Sequence, residues 1–260
     1  MKPNKTLGQN FLANKGIIAK IIQAAHLTGA ETVLEIGPGK GALTFELARA
    51  AKKVVAVEKD KALVKLLMQE LAARNVSNVE VITDDILKFL VSGFRFQVSG
   101  YTVVANIPYY LTSALIRALL EHEHQPYNIV LTIQKEVAQR ICAKDGKESI
   151  LSLSVKFYAD PKILFYVSRG SFFPIPNVDS AVIEIAPRPG KQKADPDAFF
   201  TLVKAGFSSP RKKLASNLAE KLSLEKPTLE RVFAETGIDQ KARAETLSLD
   251  QWITLTKHIK

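Results

Sequence analysis

Up to about residue 187 the chain alternates short apolar runs with longer amphipathic ones. The short runs are Thr32–Ile36 (TVLEI), Lys53–Glu58 (KVVAVE), Val79–Thr83, Tyr101–Ala105 (YTVVA), Tyr127–Ile133 (YNIVLTI), Leu153–Tyr158 with Leu164–Val167, and Ala181–Ala186. Their length and β-branched content predict buried strands. Helical spacing of apolar positions covers 42–50, 60–73, 113–121 and 135–143, and an amphipathic helix is predicted before the first strand, near Lys15–His26. Strand and helix in alternation predict an α/β fold whose parallel or mostly parallel sheet is covered on both faces.

The pattern changes at Pro187–Pro196 (PRPGKQKADP), where prolines, a glycine and charges read as a linker. Only helical patterns follow, among them Phe199–Ala205 and Lys212–Glu220. Ser209-Pro210 is expected to open the second of these, with serine as cap and proline where no backbone bond is lost. The predicted organisation is a domain over 1–187 and a small all-helical domain over 188–260.

Composition narrows the classes. A hydrophobic fraction of 47% excludes a disordered chain. One cysteine, Cys142, excludes a disulfide framework and a cysteine-based zinc cluster, and with four histidines no metal site is expected. No apolar run reaches the ~20 residues that cross a bilayer, so a cytoplasmic protein without a membrane partner is expected. The net charge is +10. There are 22 basic and 17 acidic residues up to position 187 and 14 against 9 after it, so the shorter part carries as much excess charge as the longer. A polyanion suits such a surface, because each neutralised phosphate releases counterions; excess lysine for solubility explains the number equally well.

After the first predicted strand comes Glu35-Ile36-Gly37-Pro38-Gly39-Lys40-Gly41. Gly37 can turn the chain tightly and Gly39 lets a ligand approach bare backbone. Glu58, 21 residues beyond Gly37 at the end of the second strand, is placed to accept from two ribose hydroxyls. NAD sites share this logic, but Ala42 stands where the dinucleotide pattern has glycine. S-adenosylmethionine needs the glycines and the ribose acid without a phosphate cradle, which favours it over NAD; a purely structural turn is the third reading. Asp85 can accept from an adenine amine or cap a helix.

The fourth strand ends in Asn106-Ile107-Pro108-Tyr109, the most specific short signal in the chain. An adenine N6 is a poor nucleophile because its lone pair is delocalised into the ring. The Asn106 side-chain oxygen and the Ile107 carbonyl could accept its two N–H bonds, Pro108 stiffens the turn, and Tyr109 could stack on the base. A second aromatic group, Phe172-Phe173-Pro174, follows; Phe172 is expected to face the base opposite Tyr109, leaving Phe173 to the core.

Together these segments, with Leu7–Leu12 (LGQNFL), Gln134–Ala143, Phe172–Val182, Phe207–Leu218 and Arg243–Leu255, resemble the ribosomal RNA adenine dimethyltransferases of the small-subunit type, the kasugamycin-sensitivity family. The resemblance covers nearly the whole chain. It implies a Rossmann-like class I methyltransferase sheet with a small helical C-terminal domain, and S-adenosylmethionine held by residues matching Asn10, Leu12, Gly37, Glu58, Asp85 and Asn106. The implied substrate is two adjacent adenosines near the 3′ end of small-subunit rRNA in an assembling 30S-type particle, each receiving two methyl groups on N6. Lys2, Lys5, Arg211, Lys212 and Lys213 are the expected RNA contacts, and a monomer is expected. Tyr110, Asp84 and Pro210 depart from the family pattern. A large-subunit rRNA adenine methyltransferase and an RNA-binding assembly or transcription factor on the same fold are the alternatives.

Overall fold

The structure, a computed structural model, describes residues 9–91, 100–144, 146–188, 190 and 193–259. The chain forms two compact units, one from Met1–Ala138 with Asp160–Pro187 and one from Gln139–Ala159 with Arg188–Lys260.

The first unit is built on a seven-stranded sheet. With β1 at Phe11–Leu12, its strands are β2 (Thr32–Ile36), β3 (Lys53–Glu58), β4 (Val79–Thr83), β5 (Thr102–Asn106), β6 (Asn128–Gln134), β7 (Ala159–Val167) and β9 (Ser180–Pro187), in the order β4-β3-β2-β5-β6-β9-β7. Pairing is parallel from β4 to β6 and antiparallel between β6 and β9. Every residue of β2 is buried and only Lys53 of β3 is exposed, as expected of strands covered on both faces. The remaining strand, β8 (Phe172–Phe173), pairs antiparallel with β1 in a separate two-stranded ribbon.

Helices α1 (Lys15–Ala24), α2 (Thr44–Ala50), α3 (Lys61–Ala73), α4 (Ile86–Val91) and α5 (Thr112–Leu120) fall where the sequence pattern predicts them or connect the strands beside them. Asn14 starts α1 by accepting from the Ile17 N–H at 3.2 Å, and Asp60 starts α3 by accepting from Ala62 and Leu63. One core cluster ties α1 through Ile18 and Ile21 to Leu47, Val33, Val54 and Val182, and takes in Leu12 and Phe172 from the small ribbon.

The segment 153–158 corrects the sequence reading. It lies in a helix, α7 (Ile150–Tyr158), because Ser149 and Ser152 cap its first turn reciprocally: the Ser149 hydroxyl accepts from the Ser152 N–H and the Ser152 hydroxyl from the Ser149 N–H. The strand begins only at Ala159.

Helix α6 (Lys135–Ile141) runs from the first unit into the second, which holds α7 together with α8 (Pro196–Gly206), α9 (Leu214–Leu222), α10 (Lys226–Glu235) and α11 (Leu249–His258). Phe157 of α7 stacks on Phe199 of α8 at 4.3 Å between ring centroids. Trp252 of α11 is fully buried, and a side chain at Gly206 would bring a Cβ to 2.4 Å from its ring, so glycine there sets how closely α8 and α11 pack. Ser209-Pro210 does not open α9, which starts at Leu214 after Lys213; it forms the preceding turn, where Ser209 and Gly206 carbonyls accept from the buried Asn217 amide at 3.0 and 2.6 Å.

Candidate active site

The strand order reverses between β2 and β5, so their carboxyl ends open a crevice in which ligands of such sheets bind. The loop after β2 carries Gly37 and Gly39; β5 ends in Asn106. These residues line one cavity together with Gln9, Asn10, Glu58, Asp85 and Ile107–Leu111. The glycine loop, the acid of β3 and the Asn-Ile-Pro-Tyr turn, separated in sequence, are neighbours in space.

The loop is held from below. The Gly37 N–H donates to the Val57 carbonyl at 2.9 Å, and the Gly39 N–H donates to the Glu58 carboxylate at 3.2 Å. Gly37, Gly39 and Gly41 all have positive φ, where other residues are strained. A Cβ at Gly37 would meet no atom within 4 Å and would extend the loop's wall into the cavity's open space, whereas one at Gly39 would press on the Phe11 ring at 2.9 Å. Glu58 also accepts from the Asp60 N–H at 2.9 Å. Burial raises its pKa, opposed by these backbone donors. Beneath the loop lies Glu35, 1% exposed, with Oε2 lacking a hydrogen-bond partner among the described residues. Burial pushes its carboxyl up to about 8; the Thr44 hydroxyl opposes this and the Glu58 charge adds to it.

Asn106 is fixed in orientation. Its Nδ2 donates to the Asn10 carbonyl at 3.0 Å. A carbonyl can only accept, so this bond assigns the amide and leaves Oδ1 as an acceptor. Tyr109 is half-buried, with its hydroxyl 2.8 Å from that of the buried Ser180 on β9. Burial raises the phenol pKa, against the Ser180 hydrogen bond. Asp85 does two things: Oδ1 accepts from the Leu87 N–H at 3.0 Å, capping α4, while Oδ2 pairs with Lys59 at 2.8 Å. The Lys59 ammonium holds its carboxyl below the ordinary carboxylate range.

Two of the expected site residues, Phe172 and Leu12, have side chains in the core and outside this cavity's lining. Phe172 is 3% exposed and sits in the core cluster, while Phe173 is 61% exposed. Adjacent residues of a strand point to opposite faces, so Phe172 fills the core and the Phe173 ring is left exposed. The same alternation governs β1: the Leu12 side chain joins the core and is absent from the cavity lining, which Gln9, Asn10 and Phe11 supply. Lys2 and Lys5 lie outside the described residues. Arg211, Lys212 and Lys213 are exposed in the second unit, and Lys212 is paired with Glu220 at 2.8 Å. Sequence reasoning missed Phe11, Lys59 and Tyr110 as lining residues. Phe11 and Lys59 lie in segments that carry the resemblance, Leu7–Leu12 and Val57–Asp60, and Tyr110 departs from the family pattern.

All 260 residues match the model of the ribosomal RNA adenine dimethylase family. The chain belongs to this family. Among its relatives, "Ribosomal RNA small subunit methyltransferase A" of Dehalococcoides mccartyi is 42% identical over 257 residues, covering 97% of this chain and 87% of that one. The Fusobacterium nucleatum protein of the same description is 41% identical over 261 residues, covering 98% and 97%. Two solved structures share 27% identity: the dimethyladenosine transferase of Plasmodium falciparum (TM-score 0.80, 94% and 95% covered) and the 23S rRNA methyltransferase ErmE (TM-score 0.77, 96% and 99% covered). The sheet is thus that of a Rossmann-like class I methyltransferase, and the family's methyl donor is S-adenosylmethionine.

The cavity suits that donor. Its lining holds a single cation among the described residues, Lys59, already engaged by Asp85. It does hold three carboxylates, Glu58 at the end of β3 and Asp84 and Asp85 after β4, and a loop whose bare backbone admits close approach.

Proposed function

We propose that this chain methylates N6 of two adjacent adenosines near the 3′ end of small-subunit, 16S-type rRNA, giving N6,N6-dimethyladenosine in an assembling 30S-type particle. The observation that carries the reading is the fixed Asn106 amide, at the end of β5 beside the glycine loop of β2 and in the same cavity.

Asn10, Gly37, Gly39, Glu58, Asp85 and Asn106 hold the donor. Glu58 accepts from ribose hydroxyls, and Asp85 keeps lone pairs for an adenine amine beside the Lys59 bond. Bound S-adenosylmethionine supplies a methyl group activated on a positively charged sulfur. The protein's part is to present the nitrogen. Asn106 Oδ1 and the Ile107 carbonyl accept its N–H bonds, drawing its lone pair out of conjugation and favouring the charge that develops on it. Pro108 keeps the two acceptors in register. Tyr109, tethered to Ser180, offers its ring to the base, and Phe173 takes the second aromatic role. The proton leaves to water, so no side chain has to act as a strong base.

The positive charge of the chain and the exposed Arg211 and Lys213 support an RNA partner, with the helical segment 188–260 engaging the particle. A cytoplasmic monomer fits this task; no helix among the described residues is long and apolar enough to cross a membrane.

The test is methyl transfer from labelled S-adenosylmethionine into unmodified small subunits, with mapping and mass measurement of the nucleosides. Dimethyladenosine, preceded by monomethyladenosine, is expected at two neighbouring positions. Asn106→Ala should lower the rate by about 10²–10³-fold, the cost of one preorganised polar contact at a transition state. Monomethyladenosine alone at completion, or label confined to large-subunit RNA, would overturn the reading.

A further inference from the structure

Strand β1 separates two cavities: Phe11 lines the one described above, and Leu12 lines a second, of about 590 Å³. The second is bounded by the start of α1, the glycine loop, α2 and the residue that ends α3. Four cations line it, Lys15, Lys40, Arg49 and Arg74, against a single acid, Glu46. All four are exposed.

Their partners leave the groove positive. Arg49 is balanced by Glu46 on its own helix at 2.6 Å, and Arg74 by Glu70, four residues before it, at 2.9 Å. Such exposed same-helix pairs are weak and exchangeable. Lys15 and Lys40 have no carboxylate partner among the described residues. Lys15 is moreover the first residue of α1, a first turn without acids, where a cation opposes the helix dipole. Folding does not account for a positive charge there. The Arg74 guanidinium lies over the Phe45 ring, 4.2 Å from its centroid, and the Lys40 ammonium over the Phe11 ring at 5.2 Å. The ring contacts hold two of the charges at the groove.

We infer that this groove is an RNA-binding surface that seats backbone phosphates of the substrate on the flank of the glycine loop. The inference rests on the rRNA reading above. The cations come from four separate elements rather than converging on one point, which fits a chain of phosphates better than one small anion. Four exposed cations against one acid, spread around a floor of small and apolar residues, fit the phosphates of a nucleic acid better than a protein partner. The surface lies wholly within the first unit, whereas Arg211, Lys212 and Lys213 belong to the second.

The experiment is binding of the full chain to unmodified small-subunit particles as a function of salt, comparing wild type with the Lys15→Gln/Arg49→Gln double variant. Lys40 is left intact because it touches Phe11. Loss of two phosphate contacts should flatten the slope of log K against log salt by about 1.4–1.8 and weaken binding about 25–60-fold at 0.1 M salt, with the two proteins converging towards 1 M. Affinity for S-adenosylmethionine and the thermal midpoint should not change. An unchanged slope and affinity overturns the groove, and so does a loss of S-adenosylmethionine affinity that matches the loss of particle binding. The functional reading fails separately, if the wild type leaves adenines in the particle unmethylated.

Discussion

Phe172 and Phe173 are chemically identical and adjacent, yet one is buried in the core and the other exposed. Composition and spacing do not distinguish them; the phase of β8 against its neighbour does, because Phe172 pairs with Leu12 and Phe173 with Phe11. Phe172→Ala should therefore destabilise the protein by about 3–5 kcal/mol in urea unfolding, the usual cost of emptying a core aromatic. Phe173→Ala should leave the unfolding midpoint near wild type but weaken productive substrate binding by about 1–3 kcal/mol, the worth of one stacked base, read from the methyl-transfer KM. Glu35 is a second residue whose state depends on surroundings remote in sequence. Its pKa is about 8 in the folded protein, against an ordinary carboxylate value when unfolded. The folded state then binds more protons than the unfolded one between those values, so this contribution to stability is full at acid pH and is lost as pH rises through about 8. Urea unfolding at pH 5.5 and 8.5 should show wild type losing stability by an amount on the order of a few kcal/mol. Glu35→Gln, unable to ionise, should lose much of that pH slope, with a smaller slope of the same sign left by Glu58.

At the scale of elements, strands β2, β3 and β4 lie where the apolar runs are, and helices α3 and α5 within a residue of the helical periodicities. The failure at 153–158 has a specific cause. Leu153, Val155 and Phe157 alternate as a half-buried strand would, but Ser152 and Tyr158 are buried as well, and the cap at Ser149 commits the segment to a helix. The helix matters for where the second unit begins. Phe157 and Tyr158 form an aromatic cluster with Phe199 and Phe200 of α8. Lys156 neutralises the buried Glu148, whose N–H in turn donates to the Glu245 carbonyl. A chain truncated after Pro187 keeps α7 but loses what α7 packs on. We expect it to expose that aromatic face, bind a hydrophobic dye and elute as aggregates in size-exclusion chromatography, whereas the full chain does neither.

For the whole molecule, the sequence by itself determined most of the elements, the glycine loop with Glu58 beyond it, and the Asn-Ile-Pro-Tyr turn, enough to place the chain in its family. Those features are local: periodicity, turn chemistry and short motifs are written in consecutive residues. The tertiary structure alone decided that Gly37 and Asn106 share one cavity, that Asn10 orients the Asn106 amide, and that Lys59 engages Asp85. It also decided which of two adjacent phenylalanines is buried, and it assembled Lys15, Lys40, Arg49 and Arg74 into one groove from a surplus of charge that the sequence could only count. The physical reason is common to all of these. An alternating strand presents one face or the other according to what packs on it, and a charge acquires a role only from neighbours that folding brings to it from elsewhere in the chain.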